Sequence, residues 1–331
     1  MSNYYIIQKG QFAYNKSYSN GYPYGAIKRL NNYDIGVLSS LYICFQLKKT
    51  NSDYICFYFD SNKWNKEVRL ISGEGARNHG LLNLSADDFF NISFFIPNCL
   101  EQEKISKFLL LLYKKIELME SKITILKKYK KGIKKFVVKD SVRYWKNTSL
   151  SGINLMNFLV EIKEYNENDG AYVHVTLSKE GISTKTERYD RDFLVKSDDK
   201  KYRITRSGQL CYNPANLKFG VICLNNYGTG IFSPIYVTFK IKNIVPEYLE
   251  LIVTSNDFIN YSMRYQQGTV YERMSVSVED FLKIKISPLD IKEQIKYAKI
   301  SYYIDKKISK LDNELMILQK FKNNLINKLF I

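Results

Sequence analysis

Ile96-Pro97-Asn98-Cys99-Leu100-Glu101-Gln102 and Ser287-Pro288-Leu289-Asp290-Ile291-Lys292-Glu293-Gln294 open two versions of one long helix. At each start an Asx residue stands three places ahead of a glutamate, Asn98 with Glu101 and Asp290 with Glu293. At that spacing the Asx oxygen accepts from the N3 amide while the glutamate reaches back to the cap amide. The proline just ahead sharpens the boundary, because its geometry disfavours helix. The apolar stripe of the first helix reads Ile105, Phe108, Leu112, Ile116, Met119, Ile123, Leu126, Lys130, Ile133, Val137. Adding 192 to each number gives Tyr297, Ile300, Ile304, Ile308, Leu311, Leu315, Leu318, Lys322, Leu325, Leu329. The single lysine falls at the same place in both. Steps of three and four residues mark a coiled-coil seam. The consecutive four-residue steps around Leu112 and Ile304 read as a shared stutter. The two stripes are expected to pair through Ile116, Met119, Ile123 and Leu126 on one helix and Ile308, Leu311, Leu315 and Leu318 on the other. About ten turns, on the order of 50 Å, is long for an ordinary pair of core helices.

The segments ahead of the two helices repeat as well. Gly10-Gln11-Phe12-Ala13-Tyr14-Asn15 answers Gly208-Gln209-Leu210-Cys211-Tyr212-Asn213, and Gly25-Ala26-Ile27 answers Gly220-Val221-Ile222. The run from Gly36 to Phe45 answers Gly230 to Phe239, and Ser85 to Phe89 answers Ser277 to Phe281. Glycines bounding short β-branched and aromatic runs read as strands and turns. The order is therefore domain, helix, domain, helix: residues 1–96, 97–140, 141–287 and 288–331, in a mixed α/β or α+β fold. The copies differ at one end. About sixty residues, Ser141 to Asp199, precede Tyr202-Arg203-Ile204 in the second, whereas the matching Tyr5-Ile6-Ile7 follows directly on Met1. The first domain is accordingly expected to be partial.

Composition narrows the class of function. With 45% hydrophobic residues and 6 Pro in 331, long disorder is not expected. Lys plus Arg number 50 against 33 Asp plus Glu, a formal charge of +17 that favours polyanionic partners. A Lys-rich solvated surface would give the same count. The start lacks the layout of a signal peptide, and the longest aliphatic run, Leu109 to Leu112, is far short of the ~18 residues needed to span a bilayer. Five cysteines without a C-x-x-C pair read as free thiols in a reducing cytoplasm.

Twice over, the chain carries G-x-x-x-Y-N (Gly10 to Asn15, Gly208 to Asn213), G-x-x-S-x-x-Y (Gly36 to Tyr42, Gly230 to Tyr236), a proline shortly ahead of a Glu-Gln helix start (Pro97 before Glu101-Gln102, Pro288 before Glu293-Gln294) and a Lys-rich long helix. In this it resembles the specificity (S) subunit of type I restriction–modification systems over essentially its whole length. The resemblance implies two target recognition domains, the first partial here, held apart by two long antiparallel coiled-coil helices. It implies sequence-specific binding of double-stranded DNA at a bipartite target and docking of two methyltransferase subunits. Restriction and translocase subunits join through them. No cofactor and no catalysis belong to such a subunit. A second S fragment or chain could complete the first domain. A truncated assembly or decoy subunit, binding methyltransferase without reading a complete site, is the alternative.

Residues for DNA contact are sought among basic, amide and aromatic side chains, which suit phosphates and base edges. In the second copy these are Lys200, Lys201, Arg203, Arg206, Tyr212, Asn213, Asn216 and Lys218, followed by Arg264, Gln266, Gln267, Thr269, Tyr271 and Arg273. In the first they are Tyr14, Asn15, Lys16, Arg77 and Asn78. A Tyr/Asn-rich surface loop is the competing reading for each. The lysines crowding the end of the first helix, Lys127 to Lys135, read first as a solvated helix end. Catalytic patterns are absent: no phosphate-binding Gly-rich loop, no metal motif around His79 or His174, and Tyr212-Asn213-Pro214 continues into Ala215 rather than a second proline. Glu161-Ile162-Lys163 would need a second acid on a neighbouring strand to make a nuclease site, and Asp140 falls at the helix–domain junction instead.

Overall fold

A computed structural model of the chain describes residues 4–72, 80, 82–146, 152–166, 172–184, 201–268 and 274–330. The fold is α+β, in two compact units: Met1–Ile123 with Leu311–Ile331, and Thr124–Lys310. The first unit opens with strands β1 (Tyr4–Gln8), β2 (Phe12–Asn15), β3 (Ala26–Arg29), β4 (Ile35–Ser39) and β5 (Tyr42–Phe45). Helices α1 (Ser52–Asp60), α2 (Asn65–Ile71) and α3 (Ala86–Phe90) follow, and then the long helix α4 (Cys99–Val137). The second unit continues with α5 (Lys139–Lys146), β6 (Ile153–Asn154), β7 (Leu159–Ile162), β8 (Val175–Ser178) and β9 (Gly181–Thr184). Next come β10 (Arg203–Thr205), β11 (Leu210–Tyr212), β12 (Ile222–Leu224), β13 (Gly230–Phe232) and β14 (Val237–Ile241). Helices α6 (Pro246–Val253), α7 (Asn256–Ser262) and α8 (Val278–Lys283), then β15 (Lys285–Ile286), lead to the second long helix α9 (Ile291–Leu329).

The duplication holds in the strand register. β1 pairs with β4 as β10 pairs with β13. The sheet β3-β2-β5 of the first unit matches β12-β11-β14 of the second, where β7 adds a fourth strand outside β14. Phe12 faces Phe45 and Tyr14 faces Ile27, as Leu210 faces Phe239 and Tyr212 faces Ile222. The pairing corrects one alignment. Ile7 faces Gly36 and Thr205 faces Gly230, so Tyr4-Tyr5-Ile6, not Tyr5-Ile6-Ile7, matches Tyr202-Arg203-Ile204. The tyrosine doublet permits either choice in sequence; hydrogen bonding to the glycine strand selects one. Alternation then sends Phe12 and Tyr14, or Leu210 and Tyr212, into the core of each unit. Ser85 and Ser277 cap α3 and α8 by accepting from Asp88 and Asp280 N–H, which accounts for that repeated motif.

Both long helices begin where the Asx residues placed them. Asn98 Oδ1 accepts from Glu101 N–H and Asp290 Oδ1 from Glu293 N–H, each at 3.0 Å. The glutamine next in line has its own repeated role. Gln102 donates to the Pro97 carbonyl and accepts from Asn51 N–H; Gln294 does the same with Leu289 and Val245. Each buried amide thus ties a long helix to the start of an earlier helix, α1 or α6. Within the first unit Lys322 lies over the Tyr113 ring and Gln319 donates to Glu120. Within the second, Lys130 pairs with Asp305 at 2.6 Å and Phe136 packs on Tyr297. In each unit the numbers on α9 fall as those on α4 rise, so the helices run antiparallel.

Ile116, Met119 and Ile123 are buried in the seam, and Leu126, Ile308, Leu311, Leu315 and Leu318 are half-buried. The stutter does not exist. Phe108 is 49% exposed while Leu109 is fully buried. With Leu109 in place, steps of four and three alternate unbroken from Ile105 to Val137. On α9 the matching seam position is buried Ser301, a small polar residue, and apolar Ile300 beside it drew the stripe off line.

Candidate nucleic-acid interface

Six of the proposed DNA contacts, Lys200, Thr269, Tyr271, Arg273, Arg77 and Asn78, lie outside the described residues. Four others are core or buried residues, a correction to the sequence reading. Tyr14 is fully buried, its ring 5.0 Å from Phe89 and its hydroxyl donating to the Tyr24 carbonyl at 2.7 Å. Tyr212 repeats this, 4.6 Å from Phe281 and donating to the Val276 carbonyl at 3.2 Å. Burial pushes both phenols well above their ordinary range. Asn213 is buried and shapes the turn, its Oδ1 accepting from Ala215 N–H at 3.1 Å. Arg203 is buried against Glu161 at 3.0 Å. A guanidinium so enclosed serves the protein's own carboxylate.

The remaining residues fall into groups by contact. Asn15 Oδ1 accepts from Ser17 N–H and Lys16 donates to the Leu84 carbonyl, both residues half-buried. Lys201 and Arg206 are exposed beside β10, Arg206 paired with Glu164. Asn216 and Lys218 sit on the turn ahead of β12, the first half-buried and the second exposed. Arg264 is exposed with its guanidinium over the Tyr261 ring. Close by in sequence, Gln266 is half-buried and Gln267 is exposed, donating to Asp280 at 2.8 Å.

Lys218 borders a cleft of about 1140 Å³ in the second unit, with Lys130, Lys134 and Lys179. Glu180, Glu250 and Asp305 also line it, so formal charge there is nearly balanced. Two of the lysines are engaged: Lys130 with Asp305, and Lys134 with Thr254 Oγ1 at 2.8 Å. Lys179 and Lys218 are the exposed pair. Sequence reading missed Lys179 because the four lysines come from α4, the β8–β9 turn and the turn before β12. Burial pushes the Glu250 carboxyl up, although Lys130 and Lys134 pull it down and Leu224 N–H donates to it at 2.9 Å. A carboxyl held above its unfolded value keeps its proton longer in the folded state, so stability falls as pH rises through that window. Glu250→Gln retains an acceptor for Leu224 and removes the buried charge. Thermal melts are expected to show it more stable than the parent at neutral pH, with the gain vanishing below about pH 4. A loss at neutral pH would show the charge to be stabilising.

No family model matches the chain, and no curated protein matches its sequence. Among solved structures it is similar to the type I restriction–modification system S subunit from M. genitalium. The TM-score is 0.58 at 14% identity, over 98% of this chain and 84% of that one. The chain has that fold. The HsdS subunit from Thermoanaerobacter tengcongensis aligns with a TM-score of 0.46 at 11% identity, over 98% of this chain and 81% of that one. In the S-subunit fold of this chain, Gln102 and Gln294 have a role that the sequence reading did not assign, and Lys179 is a position it did not single out. The Glu-Gln repeat was the signal for the first two. Among the described residues no helix is long and apolar enough to cross a membrane.

Proposed function

We propose that the chain is the DNA-reading, non-catalytic specificity subunit of a type I restriction–modification enzyme, working in the cytoplasm. What supports this is one observation: the same strand order and register occur twice, each time leading into a 39-residue helix, in an S-subunit fold. Residues 1–96 and 141–287 would each read half of a bipartite duplex target, and 97–140 with 288–331 would space them and dock two methyltransferase subunits. Restriction and translocase subunits would join through these. Asn15 and Lys16 in the first domain, and Lys201, Arg206, Asn216, Lys218, Arg264, Gln266 and Gln267 in the second, would make contacts, with Lys179 added and with the six that lie outside the described residues. Phosphate contacts release counterions, so duplex affinity of the complex with methyltransferase should fall steeply with salt. Between 50 and 200 mM the expected loss is at least about tenfold, and Lys179→Gln with Lys218→Gln should lower the log–log slope by roughly two. Salt-independent binding would overturn the DNA-reading role. Tight methyltransferase binding without duplex binding would instead favour an assembly subunit, a reading that the bare apolar face of β1 and β4 supports.

A further inference from the structure

In the second unit, the described residues between Ile153 and Thr184 cover two surfaces of the strand module. Its first part runs beside β15 and β14. Asn154 faces Lys285, Leu155 N–H donates to the Ile284 carbonyl at 2.9 Å, and Glu161 faces Phe239. Leu155, Phe158 and Leu159 are buried in the core as a result. Its continuation closes the β10–β13 ribbon. Ile204 N–H donates to the Glu164 carbonyl at 2.8 Å and Ile231 N–H to that of Val173 at 3.0 Å. Val175 lies so close to Gly230 that a Cβ there would sit 2.9 Å from its methyl groups.

The first unit presents both surfaces without a described residue upon them. By register and repeat, Phe45 stands for Phe239, Leu47 for Ile241, Ile92 for Ile284 and Phe94 for Ile286. Among the described residues no strand pairs with the outer edge of β5 or with residues 93–94. A groove of about 500 Å³ lies there instead, lined by Phe45, Leu47, Phe89, Ile92, Phe94 and Ile96. On the ribbon, Ile6 and Val37 are 73% and 64% exposed, where Ile204 and Ile231 are 6% and 1%. Gly36 repeats Gly230, yet the nearest atom to a Cβ on it would be Ile7 Cγ2, at 3.4 Å. The clearance is kept where no described strand uses it.

We propose that groove and ribbon form one docking site for a second polypeptide, which supplies an extended segment with the chemistry of Ile153–Thr184. Its leading part would carry Leu-x-x-Phe-Leu, as Leu155, Phe158 and Leu159 do across a short helical turn into β7, and its strand from the second leucine on would add to the outer edge of β5. The following strand and hairpin would lie on β1 and β4. Open strand edges supply main-chain hydrogen bonds, and the aromatic and branched lining selects apolar side chains at alternate positions. Exposed apolar side chains grouped in this way mark interaction sites. A second copy of the chain does not fit, because its own segment is buried in its own second unit. The proposal rests on the internal repeat and not on the DNA-reading role, so the two can fail separately.

The test is hydrogen exchange on the full chain, with and without a synthetic peptide of residues 152–184. Amides of residues 4–8, 42–47 and 92–96 are expected to exchange at least about tenfold more slowly with peptide. A peptide carrying Leu155→Asp and Phe158→Asp is expected to give no protection. A chain with the same segment fused ahead of Met1 through a flexible linker guards against weak affinity in trans. Unchanged exchange in both formats overturns the proposal, as does protection confined to residues 201–286. Self-association that protects the same amides without peptide also overturns it, since the occupant is then a second copy.

Discussion

Phe281→Ala is expected to destabilise the second unit by about 3–5 kcal/mol, the usual cost of removing a fully buried phenylalanine. Its ring is inaccessible to solvent and lies 4.6 Å from Tyr212, 5.7 Å from Phe239 and 6.0 Å from Phe258. These neighbours come from β11, β14 and α7, so the vacated space cannot close without moving three elements. Phe89→Ala is the same change in the first unit, where the ring contacts Tyr14 and Phe45 but borders the open groove. A cavity opening onto existing solvent forfeits less packing, and about 2 kcal/mol is expected there. Each unit holds one tryptophan, Trp64 in the first and Trp145 in the second, both buried. Single-tryptophan variants in a denaturant titration therefore read the two units separately. Equal losses at the two sites would show that the groove does not relieve the first core.

Glu161→Ala should cost a comparable amount, about 3–5 kcal/mol, because it strands a buried guanidinium. Arg203 is 6% exposed and its partner is Glu161 at 3.0 Å, with Lys163 reaching the same carboxylate from 3.5 Å. Removing both charges together, Glu161→Leu with Arg203→Met, takes away the desolvation cost along with the attraction. The double variant is expected within about 1–2 kcal/mol of the parent, leaving a large coupling in the cycle. Duplex affinity should be unchanged in the double variant. If it is lost while stability is kept, Arg203 reads DNA after all and its burial is relieved on binding.

Much of the fold was legible because its signals are local. The cap at Asn98 needs only Glu101 N–H nearby, and the seam needs only a period of three and four along one helix. Two copies of each signal raised a weak pattern to a strong one, so the repeat and the starts of the two long helices could be read directly. Where local chemistry offered two adjacent candidates, the reading slipped by one residue: Phe108 for Leu109, and Tyr5 for Tyr4. In a strand of three to five residues, such a slip turns every side chain to the other face.

The candidate contacts were far less legible. Residue type marked Tyr14, Tyr212 and Arg203 as able to touch DNA, and the same types also suit a stacked core and a buried ion pair. The grouping of Lys179 with Lys218 joins turns that are distant in the chain, and no window of sequence contains it. The sequence by itself determined the duplicated order and where the two long helices begin, since hydrogen-bond caps and apolar periodicity act between near neighbours. Only the tertiary structure decided which face each residue presents and which surfaces stay bare, because burial depends on what packs above a strand from far along the chain.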